Sequence, residues 1–404
     1  MSGYLLVVNV GSTSIKSRLF TTDLQPNAAL MADYGTPAGL LVEGQDIHGE
    51  PIYHSINTAH NTSAALTVVL NHWQHIITNN HLPLVAIGHR VVHGASWFDK
   101  VTPINDAILE RLPQLDCYAP LHNPFNRLGI TMAAECFPDT AQFAVFDTAF
   151  HRRIPEHAGR YALPDHLSDK VDFYRYGFHG ISCQHSLLAT AERLARDPDQ
   201  LNIIVLHLGG GASATAIRAG VSIDTSMGFS PTEGLIMAGR CGDLDPMILL
   251  TLQKEGLSPA QLDDLINKNS GLRGICGDAD MRSILQKAEQ HDATALLALD
   301  MFCYRIKKYI GAYCAILGNV SALVFTGGIG EHASAIRHRI LTGLEPLGFV
   351  IDEPANQQAA HNSDISAAAS RSRILVIHAE EERVCARQIL NFLDDKSDDN
   401  PRGE

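Results

Sequence analysis

Short apolar runs and longer stretches of helical spacing alternate along the chain. Tyr4 to Val10 and Ile15 to Phe20 read as strands either side of Gly11-Ser12-Thr13-Ser14, a strand–turn–strand figure. Ile203 to Leu208, Gly209-Gly210-Gly211 and Ala212 to Ile217 repeat that figure about half the chain later. A duplicated domain would produce the pair, and so would chance recurrence of a common hairpin. Leu84 to Gly88, Gln142 to Phe146, Leu323 to Phe325 and Ile374 to Ile377 are further short strand-type runs. Asn61 to Ile77 and Phe125 to Cys136 have helical spacing. A helix starts at Ser258-Pro259-Ala260-Gln261, with Ser as N-cap, Pro in the first turn and Gln three residues after the Ser; it runs to Lys268. Ala293 to Leu317 is predicted as a long amphipathic helix with Leu297, Met301, Tyr304, Lys308 and Gly311 at mixed helical spacing, and Glu381 to Leu393 as the last helix. Alternating strands and helices with glycine-rich turns at strand ends predict an α/β protein that binds its ligands at those turns.

Composition narrows the function classes. A chain of 404 residues exceeds one ordinary core, so two domains are expected. Lys+Arg 31 against Asp+Glu 44 leaves a net charge of −13. That argues against nonspecific partnership with nucleic acid or an anionic membrane, while leaving room for a few cations focused in a cleft. No run of apolar residues is long enough to span a bilayer, and the N-terminus lacks the form of a signal peptide. The eight cysteines show no CxxC spacing and read as reduced, mostly buried thiols of a cytoplasmic protein. His72/His75 and His89/His93 have ligand-like spacing without Cys or acidic companions, so solvated or core histidine is the plainer reading.

Three glycine-rich turns follow apolar strands: Gly11 to Ser14, Gly209 to Gly211 and Gly327 to Gly330. Exposed backbone N–H groups in such turns cradle phosphates. No Gly-Lys pair exists for a Walker A loop, and neither HRD nor DFG occurs. Gly328-Ile329-Gly330-Glu331-His332-Ala333 mimics a dinucleotide fingerprint, but too few residues follow it for two mononucleotide halves. Polar residues cluster near strand ends: Arg90 beyond one strand, Asp147 beyond another, His179 in Tyr176-Gly177-Phe178-His179-Gly180, Arg240 between glycines, Asp280-Met281-Arg282, and Glu380-Glu381-Glu382. Each alone fits a surface Arg, a capping Asp or a satisfied loop His. Together they match phosphoryl transfer: Arg90, His179 and Arg240 supply positive charge around the moving group, and Asp147 and Glu381 supply carboxylates for a metal.

These residues sit in blocks with a resemblance. Asn9-Val10-Gly11-Ser12-Thr13-Ser14-Ile15-Lys16, Gly88-His89-Arg90-Val91-Val92-His93-Gly94, Ala119-Pro120-Leu121-His122-Asn123-Pro124, Phe146-Asp147-Thr148-Ala149-Phe150-His151, Tyr176 to Gly180, Asp224-Thr225-Ser226-Met227-Gly228-Phe229, Glu233-Gly234-Leu235 and Phe325 to Glu331 resemble, in order, the acetate kinase family, which also holds propionate and butyrate kinases. The resemblance implies a duplicated two-domain α/β fold of the actin/Hsp70/sugar-kinase type with its active site in the interdomain cleft. The implied domains are 1–149 and 150–382, with helix 383–396 packing back on the first and a disordered tail at 397–404. It implies transfer of the ATP γ-phosphoryl group to acetate, reversible and Mg²⁺-dependent (Mn²⁺ as a substitute), in a cytoplasmic homodimer. Propionate is the alternative acid, and an actin/Hsp70-type ATPase without an acyl substrate is the alternative class.

The resemblance also implies roles. Arg90 and Arg240 bind the carboxylate and the phosphoryl group, and His179 donates to the transition state. Asn9, Asp147 and Glu381 serve the metal. Ser12, Lys16 and the turn from His207 and Leu208 through Gly209, Gly210 and Gly211 approach the phosphates. Asp280, Met281, Arg282, Gly328, Ile329, Gly330, Glu331 and His332 embrace the adenosine, while Val92, Leu121, Phe178 and Pro231 form the acyl pocket. A carboxylic acid titrates near 4, about where Glu does, so acetate is ionised at neutral pH and needs no general base. Asp147 is therefore read as an organiser. The chain departs from the family pattern at Gly210 (usually Asn), Met281 (usually Phe), His332 (usually Asn) and His378-Ala379-Glu380 (usually Pro-Thr-Asn), which opens the choice among Glu380, Glu381 and Glu382 and the base preference.

Overall fold

The computed structural model describes residues 3–36, 39–56, 61–168, 171–360 and 362–398. The chain forms two compact units, Met1–Ala149 with Glu380–Glu404, and Phe150–Ala379.

In the first unit the strands are β1 (Tyr4–Val10), β2 (Ser14–Thr21), β3 (Pro26–Thr36), β4 (Gly39–Gln45), β5 (Pro51–Ile56), β6 (Leu84–Val91), β7 (Thr102–Pro103) and β8 (Gln142–Phe146). They lie in the order β5-β4-β3-β2-β1-β6-β8-β7. The helix Thr62–Asn79, capped by the Asn61 side chain, buries Leu66, Val69, Leu70 and Trp73 against this sheet. The Trp73 indole donates to Ser17 Oγ at 2.8 Å, so its one polar atom is satisfied inside the core. The last helix, Glu381–Asp398, packs on β1, β6, β2 and β8. Gly88 is glycine for a local reason: a Cβ there would overlap Ile389 of that helix. The helix reaches two residues into the stretch expected as a tail, and 399–404 lie outside the described residues.

The second unit holds β9 (Asn202–Leu208), β10 (Ala212–Arg218), β11 (Val221–Thr225), β12 (Ala322–Thr326), β13 (Ser363–Asp364) and β14 (Arg373–Val376). Their order is β11-β10-β9-β12-β14-β13. Set against β3-β2-β1-β6-β8-β7, the pattern is the same strand for strand. The hairpin strands are antiparallel, the next two are parallel, and the last short strand is antiparallel. The hairpin figure noticed in the sequence is thus one end of a duplicated six-strand α/β plan, to which the first unit adds β4 and β5. The helix Gly180–Leu194 buries Cys183, Leu187 and Ala191 against β9 and its neighbours.

Three local expectations change, and the long helix gains a defined buried face. Arg90 lies within β6, which continues to Val91, rather than beyond the strand. Gly327–His332 is a short helix starting at the end of β12, not an open turn. The long helix has the expected bounds, Ala293–Leu317, but its buried face is Ala295, Ala298, Leu299, Phe302, Cys303, Ile306, Ile310, Tyr313 and Leu317. Leu297, Met301 and Tyr304 point outward. Apolar residues surround this helix, so periodicity alone offered two faces and contact with the sheet selected the denser one. All eight cysteines are free, but only Cys183, Cys303 and Cys385 are buried. Among the described residues no helix is long and apolar enough to cross a membrane.

Candidate functional site

The first unit gathers an ion-pair cluster at the ends of β6 and β8. Arg90 Nη2 lies 2.6 Å from Asp147 Oδ2, Nε donates to both Asp147 oxygens, and Nη1 lies 2.6 Å from Glu381 Oε2. Asp147 is 2% exposed. Burial pushes its carboxyl up; the Arg90 guanidinium pulls it down, and the Glu381 carboxylate pushes it up again. Burial disfavours the Arg90 charge, but Asp147 and Glu381 outweigh it and hold the guanidinium above its ordinary value. Among the three neighbouring glutamates, Glu381 reaches this cluster, whereas Glu380 pairs with Arg383 at 2.9 Å.

The surrounding loops are positioned by buried amides. Asn126 accepts from Val92 N at 3.0 Å and donates to Val10 O at 2.8 Å, tying the end of β1 to the segment after β6. Asn123 does the same for His93. Asn9 and Lys16 face each other in register across the β1–β2 hairpin. Ser12 and Lys16 are exposed, Val92 is half-buried and Leu121 is exposed. His89 is buried against Gln142 at 2.6 Å, and burial pushes it down to about 4. Among the described residues no group of three or more His, Cys, Asp or Glu is set to hold a metal by itself.

In the second unit His179 adopts a left-handed conformation, φ 57°, just before the helix Gly180–Leu194. This is an uncommon backbone state for a side-chain-bearing residue, though one that histidine adopts more readily than most. Its Nδ1 is 3.0 Å from Ser213 Oγ, and its ring stacks on His207 at 4.1 Å. His207 in turn meets Ser182 Oγ at 2.8 Å. Arg240 approaches the same point. A Cβ built on Gly211 would sit 3.4 Å from His179 Nε2 and 3.5 Å from Arg240 Nη1. Among the described residues the Arg240 guanidinium meets Pro231 O at 3.4 Å and Met237 Sδ at 3.8 Å, and no carboxylate pairs with it. Burial accordingly lowers its pKa with nothing to oppose it. A mostly buried cation with no carboxylate partner among the described residues, beside a glycine turn and a histidine, has the chemistry to receive an anion.

Next to this turn lies a cavity of about 520 Å³. Gly209, Gly210, Asp280, Met281, Arg282, Gly328, Ile329 and His332 line it, with Ala238, Leu272, Ala279, Leu285 and Ala333. The last five were missed in the sequence because small and aliphatic residues carry no chemical signature. Asp280 caps the helix Met281–Glu289 through Arg282 N and also grips the Arg282 side chain at 2.8 Å. Glu331 is turned elsewhere: its carboxylate receives Ala379 N at 3.1 Å and lies 2.6 Å from His378 Nδ1. Gly330 and Phe178 are buried. Phe178 is positioned by His151, a residue given no role in the sequence reading. His151 Nε2–H donates to Phe178 O at 3.0 Å, so its Nδ1 accepts from Ser222 Oγ at 2.8 Å. Burial pushes His151 down to about 4, which keeps that neutral tautomer.

Known proteins resemble this chain over most of its length. Residues 4–387 match the acetokinase family. The acetate kinase of Sulfurovum sp. (strain NBC37-1) is 42% identical, over 95% of this chain and 97% of its own length. That of Streptomyces coelicolor is 41% identical, over 95% of each. Among solved structures, the acetate kinase of Porphyromonas gingivalis superposes with a TM-score of 0.87 at 34% identity, covering 97% of this chain and 100% of that one. A propionate kinase from Francisella tularensis superposes at 0.89 and 36% identity, covering 96% and 98%. With the duplicated α/β plan of the actin/Hsp70/sugar-kinase type and a family match over residues 4–387, this chain belongs to the acetokinase family.

Proposed function

We propose that this chain transfers the γ-phosphoryl group of ATP to acetate, giving acetyl phosphate and ADP, and catalyses the reverse reaction. The observation that carries the reading is the carboxylate-free Arg240 guanidinium beside His179 at the Gly211 turn. An acetate oxygen forms the new O–P bond as the bond to the ADP oxygen breaks. Arg240 and His179 match the charge on the phosphoryl oxygens in a dry setting, where such matching counts most. Arg90 receives the acid's carboxylate. Asp147, with both oxygens on Arg90, is spent on orientation; acetate, already an anion, asks for no base. The nucleotide takes the cavity lined by Gly209, Met281 and Ile329; Ser12 and Lys16, exposed on the first unit's glycine turn and the strand after it, are proposed phosphate contacts.

Mg²⁺ (or Mn²⁺) fits the donor set. Two carboxylates, Asp147 and Glu381, converge on one guanidinium, and Asn9 offers an amide oxygen. A nucleotide-bound Mg²⁺ needs only one or two carboxylates beside phosphate and water oxygens, which Asp147 and Glu381 would supply. When bound, the ion would neutralise developing phosphate charge.

Propionate is the second acid, favoured by the close superposition on a propionate kinase. Val92, Leu121, Phe178 and Pro231 are the proposed acyl walls. A homodimer would cover apolar side chains left outside: Leu297, Met301 and Tyr304 on the long helix, and Met247, Ile248 and Leu250 on Pro246–Lys254. Free thiols and a nucleotide substrate suit the cytoplasm. The test is a coupled assay with acetyl phosphate, ADP and Mg²⁺, followed by steady-state rates with acetate, propionate and butyrate. ATP formation is expected. Acetate-independent ATP hydrolysis without ATP synthesis would instead indicate a chaperone-type ATPase.

A further inference from the structure

The stretch from Ser226 to Asp245 has no helix or strand, yet it carries both Pro231 and Arg240. Its first part is pinched shut at the base. Arg175 Nη1 donates to Thr225 O at 3.0 Å and Ser226 O at 3.4 Å, while Nη2 lies 2.7 Å from Glu233 Oε1. One guanidinium therefore joins the two ends of the segment. Tyr161 makes a second cross-tie: its hydroxyl donates to Glu233 Oε2 and accepts from Phe229 N at 2.8 Å. The closure is tight enough to fix two glycines. A Cβ on Gly228 would overlap Glu233 Oε2 and the Tyr161 hydroxyl, and Gly234, at φ 103°, lies against Ser226 O. The segment closed by this neck is Phe229 to Thr232. Its Pro231 supplies a proposed acyl wall, and Pro231 O is one of the two contacts that hold Arg240.

We propose that Glu233, gripped by Tyr161 and Arg175, is a positioning residue that sets acyl-chain selectivity by pinching the loop that presents Pro231. This rests on the acyl-kinase reading above and adds the element that holds the pocket wall. The chemistry favours a rigid neck. A carboxylate with one guanidinium and one phenol makes charge-assisted bonds, stronger than neutral ones. Burial, then the Glu233 charge, raises the Tyr161 hydroxyl above its ordinary value, so it remains the donor. No atom of Glu233 or Tyr161 is proposed to touch substrate. Their influence passes through the loop backbone to Pro231.

Y161F removes one cross-tie without changing volume; E233Q weakens both. Steady-state kinetics with acetate and propionate, with ATP varied separately, is the test. Loosening the wall is expected to raise the propionate-to-acetate ratio of kcat/KM by about 3- to 10-fold in each variant, within what one methylene can discriminate. KM for ATP is expected to stay within about twofold, and the double variant to resemble E233Q, because both act on one neck. Thermal unfolding of Y161F separates a folding defect from a selectivity change, and a ratio within about twofold of wild type in folded Y161F overturns the proposal. Wild-type protein inactive toward both acids would instead remove the acyl-kinase reading itself.

Discussion

Arg240 offers a prediction in which stability and activity move in opposite directions. Its guanidinium is mostly buried, has no carboxylate among the described residues, and has two weak contacts at 3.4 and 3.8 Å. Burial lowers its pKa with no opposing charge, so the free protein bears the desolvation of a cation. Replacing buried charges by apolar side chains of similar volume is often neutral or stabilising by about 1–4 kcal/mol. Arg240→Met keeps the length of the side chain and removes the charge. It should raise the unfolding free energy by about 1–2 kcal/mol, seen as a Tm higher by about 2–6 °C. The same change removes a charged donor from the phosphoryl group, which at comparable sites costs about 10²–10³ in rate. A third reading ties the two together. Acetyl phosphate should stabilise wild type through mass action and stabilise R240M much less. Urea melts, the coupled ATP-forming assay and melts with ligand are the measurements. If R240M unfolds more easily than wild type by over about 1 kcal/mol, Arg240 is a structural residue and the anion-site argument fails. A rate loss under tenfold would sink it equally.

Other tests are simpler. Gly210 faces open space, with nothing within 4 Å of a built Cβ, so Gly210→Asn fits; one added hydrogen bond should lower KM for ADP by about 3- to 10-fold with kcat little changed, and a raised KM counts against a phosphate role for this turn. Asp147→Asn should cut kcat and weaken the dependence on Mg²⁺ while leaving both limbs of the pH–rate profile; a vanished limb would make Asp147 a general base. His89 and His151 are held down to about 4, below the ordinary value near 6.5. Their neutral forms are fully favoured above the unfolded value, and stability falls as pH drops from about 6.5 to 4, because the unfolded chain takes protons that the fold refuses. The loss should be on the order of 3 kcal/mol per residue by pH 4, read from urea midpoints, and removed at one site in His89→Gln. Leu297→Glu with Tyr304→Glu on the exposed face of the long helix should halve the mass seen in sedimentation if that face is covered in a dimer, and leave it unchanged otherwise.

The parts of the molecule legible in the sequence are those whose physics is local. Strand, glycine turn and strand are encoded within a dozen residues, so both hairpins had nearly the right bounds. The capping box at Ser258 was legible for the same reason, with both reciprocal bonds formed. Chemically distinctive residues at strand ends were legible as candidates, and Arg90, Asp147 and Glu381 do meet although 291 positions separate the outer two. What stayed hidden depends on what lies opposite. Nothing in the sequence around Arg240 distinguishes an arginine without a carboxylate from one with a partner; only the surroundings of its guanidinium do. The wall residues Ala238, Leu272, Ala279, Leu285 and Ala333 come from separate segments and matter by being small or apolar. Glu233 is the sharpest case. Its sequence block was visible, but its partners Tyr161 and Arg175 are 72 and 58 positions away, and both belong to loop segments with no periodic pattern to mark them. Two chains could share every catalytic residue and still differ in how firmly that neck holds Pro231. On this reading the motif specifies the reaction, and acyl selectivity rests on long-range contacts that the motif does not contain.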